Sequence, residues 1–147
     1  MRDIKSIIVH CSDSPFGNAA LIDQWHKARG WRGIGYHEVI LNAYPHSENY
    51  TKHRLDPKHD GLVQHGREWD QVGAHVRGHN KDSIGICLIG VDVFSSVQIK
   101  SLSSLIANIW RYHPDAELYG HYEFNHKKTC PNIDMDWLRD RIIEPLA

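Results

Sequence analysis

The segment 83–89 places the strongest constraint on how this chain folds. Its residues read Ser-Ile-Gly-Ile-Cys-Leu-Ile, an almost continuous apolar run. A run of this kind is typical of a strand that is buried on both faces. Such a strand requires neighbouring strands at its sides and covering layers above and below. We therefore expect the segment to lie at the centre of a β-sheet.

Strands and helices alternate along the rest of the chain, which indicates an α/β protein with a central mixed β-sheet flanked by helices. A length of 147 residues suits one compact domain, so we expect a single domain over residues 1–147. The predicted strands span 6–10, 36–41, 61–64, 83–89 and 117–119, and the predicted helices span 18–29, 97–112 and a C-terminal segment from 134 or 136 to 143.

Each predicted helix has an apolar stripe that we expect to face the sheet. The residues of these stripes are Leu21, Ile22, Trp25 and Ala28 in the first helix, Leu102, Leu105, Ile106, Ile109 and Trp110 in the second, and Trp137 and Leu138 in the third. The polar segment 42–60 lacks periodicity and is predicted to be a long loop. Its histidines, His46, His53 and His59, fit no ligand spacing and are expected to be solvated.

Composition and charge exclude several classes of protein. The formal net charge is −1, which argues against nucleic-acid binding through bulk positive charge. No apolar run is long enough to span a membrane, so membrane insertion is not expected. The N-terminus shows no signal-peptide pattern, and the three cysteines do not form a disulfide framework. These features predict synthesis and folding in the cytoplasm.

Three scattered residues could form a metal site. His10 ends the first predicted strand, His121 follows the last one, and Cys130 comes soon afterwards. Two imidazoles and one thiolate suit Zn²⁺ and would leave its fourth position open, as in catalytic zinc sites. The alternative is that His10 caps a buried strand by hydrogen bonding. Neither a Cys-x-x-Cys pair nor a His-Glu-x-x-His helix supports the metal interpretation locally.

A series of short motifs occurs in one order along nearly the whole chain. Together they resemble the type-2 N-acetylmuramoyl-L-alanine amidases, a family that includes phage lysozyme-amidases and peptidoglycan recognition proteins. The motifs are Ile8-Val9-His10-Cys11-Ser12, Gln24-Trp25-His26-Lys27, Gly30-Trp31, Gly35-Tyr36-His37, Gly73-Ala74-His75, Gly78-His79-Asn80, Ser83-Ile84-Gly85-Ile86-Cys87-Leu88, Gly120-His121 and Lys128-Thr129-Cys130-Pro131.

The resemblance implies a role for six residues. His10, His121 and Cys130 would be the zinc ligands, Tyr36 and Lys128 the catalytic residues, and His75 a contact to substrate. The segment from His121 to Cys130 is one residue longer than is usual in the family, so Lys127 is an alternative to Lys128.

The other imidazoles and thiols have structural interpretations. His26 and His37 are expected to support the fold, and Cys87 to be a small core residue. Cys11 is expected to turn away from the site, because side chains alternate along a strand.

The resemblance also implies a function. The protein would hydrolyse the amide bond between N-acetylmuramic acid and L-alanine in bacterial peptidoglycan, as a monomeric phage or prophage endolysin that reaches the cell wall after release from the cytoplasm. The segment 42–60 looks like an insertion relative to the phage enzymes and would form a wall of the substrate groove. Three alternatives stay open: a non-catalytic peptidoglycan-binding module, a bacterial remodelling or recycling amidase, and an amidase that also inhibits a phage RNA polymerase.

Overall fold

A computed structural model describes residues 2–143, in which five strands form one sheet and four α-helices surround it. The strands and helices are, in chain order, β1 (Ser6–Cys11), α1 (Ala19–Ala28), β2 (Glu38–Ile40), α2 (Ser47–Thr51), β3 (Val63–His65), β4 (Ser83–Leu88), α3 (Ser96–Tyr112), β5 (Glu117–Gly120) and α4 (Met135–Ile143).

The sheet is mixed, with the strand order β3-β2-β4-β1-β5. Strand β4 is central and pairs in parallel with β1 and with β2, while β1 also pairs in parallel with β5. Only β3 runs antiparallel, against β2. The predicted fold class is therefore confirmed, and so is the central position of the 83–89 strand.

Large and small side chains alternate along β4. Ile84, Ile86 and Leu88 are completely buried and belong to the main core, on the face covered by α3 and α4. The residues that alternate with them are Ser83, Gly85 and Cys87, whose smaller side chains lie on the opposite face. From the helices, the main core receives Leu102, Ile106, Ile109, Leu138 and Ile142.

Helix α1 covers part of the opposite face of the sheet. Ile22 and Trp25 of this helix pack against a smaller cluster that contains Val39, Cys87 and Ile89. The helix begins after Asn18, whose side chain accepts a hydrogen bond from the Leu21 N–H at 2.9 Å, as is typical of an N-cap residue. The part of this face that α1 leaves free, over β1 and β4, carries the candidate site.

Several local predictions were wrong. Ala28 is exposed, because α1 packs through Ile22 and His26 instead. Trp137 is 44% exposed and lies against the Arg141 guanidinium, 5.0 Å from the ring centre. The predicted loop 42–60 contains α2, a helix of five residues. Among residues 2–143, no helix combines the length and the apolar character that crossing a membrane requires.

Candidate metal centre

The parallel pairing of β1 with β5 brings two histidines together. Val9 is level with Gly120, so the residues that follow them, His10 and His121, lie side by side near the carboxyl ends of the strands. Their ring centres are 4.6 Å apart. His10 is only 1% exposed, so the sheet and its surroundings hold the ring in a defined position.

Cys130 reaches the same point because the chain folds back after a 3₁₀ turn at His121–Glu123. The Tyr122 N–H donates to the Cys130 carbonyl at 2.9 Å, and the Cys11 N–H donates to the Cys130 Sγ at 3.0 Å. One ligand atom from each of His10, His121 and Cys130 lies within 4.8 Å of the others. In the part of the chain that the structure describes, this is the one group of three or more such side chains close enough to hold a metal ion.

The donor set fits zinc. Burial holds the pKa of His10 well below its usual value, with further lowering by His75 and His121. Burial, followed by the Lys128 charge, also lowers the pKa of His121. Both rings are therefore neutral at pH 7, which is the form that binds metals. Two neutral imidazoles and a cysteine sulfur form a borderline-soft set that zinc accepts readily.

The Cys130 thiol is held in its protonated form. Its contact with the Cys11 thiol, and then its burial, raise its pKa above the ordinary value. The N–H donated by Cys11 acts in the opposite direction, because it stabilises the thiolate. A divalent cation would displace the proton, so metal affinity should rise with pH.

Tyr36 and the lysine pair lie at the edges of this group. The Tyr36 ring is 5.0 Å from the His10 ring, and burial and the neighbouring thiols raise the pKa of its phenol. It is therefore a neutral hydrogen-bond donor at physiological pH. Lys127 and Lys128 are both exposed, on a turn in which the Lys128 N–H donates to the Asn125 carbonyl. The Lys128 ammonium is close enough to lower the pKa of His121.

His75 lies beside the candidate ligands. Its Nδ1 is 2.9 Å from His10 Nε2, and its Nε2 is 3.2 Å from Ser83 Oγ. Burial lowers its pKa to about 3, with smaller contributions from His37 and His121. The ring lies directly over Gly85, where an added Cβ would approach it to 2.6 Å.

The sequence reasoning did not select Ser83 and Gly85 as parts of the site. The small residues at every second position of 83–87 were the available signal, because they lie on one face of the strand. His26 and His37 have the expected structural contacts: each accepts a backbone N–H through Nδ1, from Gly35 and Gly85 respectively.

Cys11 does not turn away from the site as expected. It is the last residue of β1, where the regular alternation ends, and its main chain and thiol both contact Cys130. Two histidines of the 42–60 segment, His46 and His53, are exposed, and His59 pairs with Asp56 at 2.9 Å.

Comparison with known proteins gives consistent matches over most of the chain. A family model described as N-acetylmuramoyl-L-alanine amidase matches residues 1–133. The endolysin of Escherichia phage T7 is 34% identical, over 94% of this chain and 88% of that protein. The endolysin of Klebsiella phage KP32 is 30% identical, over 97% of this chain and 91% of that protein. Among solved structures, the N-acetylmuramoyl-L-alanine amidase LysC from Clostridium intestinale URNW is 25% identical, with a TM-score of 0.78 over 96% of this chain and 86% of that one.

Proposed function

The chain belongs to the N-acetylmuramoyl-L-alanine amidase family, and from this premise we propose that it is a zinc-dependent hydrolase of the amide bond between N-acetylmuramic acid and L-alanine in peptidoglycan. Family membership and the endolysin relatives support amidase activity on peptidoglycan. The observation that carries the zinc proposal is the meeting of His10, His121 and Cys130 within 4.8 Å.

In this proposal His10, His121 and Cys130 hold the metal. Zinc, when bound, supplies a Lewis acid that polarises a carbonyl and lowers the pKa of water to about 7. The three side chains leave one coordination position free for the reacting groups, as in other catalytic zinc sites.

Tyr36 and Lys128 would stabilise the charge that develops on the scissile carbonyl oxygen. A phenol with a raised pKa keeps its proton and can donate a hydrogen bond throughout the reaction. The Lys128 ammonium supplies positive charge on the exposed side of His121, where substrate would enter. Lys128 is preferred to Lys127 because its charge acts on a candidate ligand. His75 remains a candidate substrate contact, through the carbon atoms of its half-buried ring, because both ring nitrogens lie within hydrogen-bond distance of His10 and Ser83.

The experiment is a digestion of purified peptidoglycan, with and without a chelator, followed by mass spectrometry of the products. We expect free lactyl groups and new L-alanine amino termini, both lost on chelation and restored by added zinc. The Cys130→Ser variant should be inactive and should bind zinc at least 10-fold more weakly. New reducing sugar ends would identify a glycosidase and refute the proposal.

A matched pair of variants tests the lysine assignment. Lys128→Ala should lower kcat by about 10²-fold, the usual cost of removing one donor to a developing oxyanion. Lys127→Ala, which removes the same charge from the neighbouring position, should leave kcat within about 2-fold. The reverse result would transfer the role to Lys127.

We also propose that this single domain, spanning 1–147, acts as a monomeric phage or prophage endolysin on the cell wall after release from the cytoplasm. Both endolysin relatives match nearly the full length of the chain. Cells that express the protein should keep growing until the inner membrane is permeabilised with chloroform, and should then lyse. Lysis without permeabilisation would contradict this mode of release. Light scattering tests the monomeric state, and a dimer mass would contradict it.

A further inference from the structure

A chain of hydrogen bonds runs from the main chain to one of the candidate zinc ligands. Ser83 Oγ donates to the His79 carbonyl at 2.7 Å and lies 3.2 Å from His75 Nε2. His75 Nδ1 in turn lies 2.9 Å from His10 Nε2. Four residues from three separate segments are thus connected in one line.

The chemistry of the groups fixes the direction of every bond in this line. A carbonyl oxygen can only accept, so the single hydroxyl proton of Ser83 must lie on the bond to His79. Ser83 Oγ is then an acceptor towards His75, which must carry its proton on Nε2. His75 Nδ1 therefore has no proton and carries a lone pair, so His10 must donate to it from Nε2.

We propose that His75 is a positioning residue that fixes His10 in its Nε2–H form and thereby presents the His10 Nδ1 lone pair to the metal. This inference rests on the zinc centre of the proposed function. A neutral imidazole has one lone pair, so a proton fixed on Nε2 leaves Nδ1 as the only nitrogen that can bind zinc. Hydrogen bonds of this kind orient histidine ligands in zinc sites.

The protein holds His75 firmly in this position. The Asn80 side-chain oxygen accepts the N–H groups of His75 and Val76, both at 2.9 Å. The absence of a side chain at Gly85 allows the ring to lie on β4. Ser83 is completely buried and His10 is 1% exposed, so the two side chains that bond to the His75 ring are themselves shielded from solvent.

The first test reads the tautomers directly in the metal-free protein. Long-range ¹H–¹⁵N correlation spectra of ¹⁵N-histidine protein at pH 7 to 8 distinguish a protonated ring nitrogen from a lone pair. We expect His10 and His75 to be entirely Nε2–H before zinc is added, and Ser83→Ala to leave His75 and His10 in mixtures of both tautomers. Nδ1–H in the unmodified His10, or a mixture there, would overturn the proposal.

The second test measures zinc affinity by competition with a chelator, without peptidoglycan. His75→Leu replaces the ring by a side chain of similar size that cannot accept the His10 N–H, and it should weaken zinc binding 10- to 100-fold. His75→Gln keeps a side-chain oxygen that can accept from His10 and should recover most of that loss. Ser83→Ala should weaken binding, and Ser83→Thr, which keeps the hydroxyl, should not. Equal affinities of the Leu and Gln variants would overturn the positioning role.

These readouts separate the inference from the proposed function. The tautomer of His10 is measured without metal or substrate, so it decides the hydrogen-bond chain whatever the protein hydrolyses. A fixed Nε2–H tautomer together with no zinc binding would overturn the metal-presenting role and the zinc centre at once. Normal zinc binding and amidase activity with an Nδ1–H His10 would overturn this inference alone.

Discussion

The stability of the protein should fall steeply in mild acid because of His37. This ring is completely buried, and both of its nitrogens are used. Nδ1 accepts the Gly85 N–H at 3.0 Å, so Nε2 carries the proton and donates to the Gln71 carbonyl at 2.8 Å. A second proton on Nδ1 would break the bond to Gly85 and place an uncompensated charge in the interior. Burial accordingly lowers the pKa of His37 to about 4; the bond to the Gln71 carbonyl opposes this shift, and the Arg2 and Arg67 charges add to it.

The sign and size of the effect follow from the difference between the folded and unfolded pKa. The unfolded chain binds a proton at about pH 6.5, whereas the folded protein binds it only near pH 4. The stabilisation is therefore complete above pH 6.5 and is lost as the pH falls from there towards 4. Each pH unit within that interval costs about 1.4 kcal/mol, which gives about 2 kcal/mol between pH 8 and pH 5.

The assay is urea unfolding at several pH values between 8 and 5, with a chelator present so that zinc binding does not contribute. We compare the parent protein with His37→Asn, whose side-chain oxygen can still accept from Gly85. The variant should be less stable at pH 8, but its unfolding free energy should fall by about 2 kcal/mol less on acidification. Replacement of the exposed His126 by Asn controls for the loss of one imidazole. Parallel curves for the parent and His37→Asn would refute the reasoning.

Three further predictions concern a close contact at the site and two hydrogen-bonded side chains elsewhere in the fold. Gly85→Ala should cost about 1–3 kcal/mol and weaken zinc binding, because its Cβ would lie 2.6 Å from the His75 ring; unchanged melting and metal competition would contradict this. Asn18→Ala should cost about 1–2 kcal/mol in urea unfolding, since it removes the cap of α1 and the bond to the Pro45 carbonyl, whereas Asn18→Asp keeps the cap and should recover part of the loss. Gln98→Leu should cost about 2–3 kcal/mol, because the Ile89 carbonyl loses a buried donor; a stable variant would show that this carbonyl finds another partner.

The framework of the fold could be predicted because its patterns are long and locally consistent. The central strand and the α3 stripe depend on apolar residues at fixed spacing, and both lie where they were expected. The orientation of Trp137 could not be predicted in the same way. Its exposure depends on Arg141, one turn away, which offers the indole a cation on the surface. Whether an aromatic side chain packs in the core or against a surface partner is decided by tertiary contacts, which the periodicity of the sequence does not show.

Much less of the candidate site was accessible from the sequence. His10 and His121 are suggestive as residues at the ends of strands, but only the pairing of β1 with β5 makes them neighbours. The position of His75 depends on Gly85 and Ser83, which lie in a strand that reads simply as apolar. A histidine that hydrogen-bonds to a metal ligand and a histidine that contacts substrate have the same sequence signal. The distinction requires the direction of each hydrogen bond.

The one-residue lengthening that the family resemblance implies between His121 and Cys130 should leave the candidate metal ligands in place, because both ends of the segment are fixed independently. His121 follows directly from the pairing of β5 with β1, and Cys130 is held by the Cys11 N–H and by its carbonyl bond to Tyr122. The intervening turn at 125–128 is exposed and closes on itself through the Asn125 carbonyl. An added residue is therefore absorbed where the lysines lie. The length of this segment should therefore determine whether the Lys127 or the Lys128 ammonium reaches the substrate, and it should leave the zinc affinity unchanged. Deletion of Lys127 tests this separation: it should alter kcat and preserve the zinc Kd, and a parallel loss of both would show that the turn also positions Cys130.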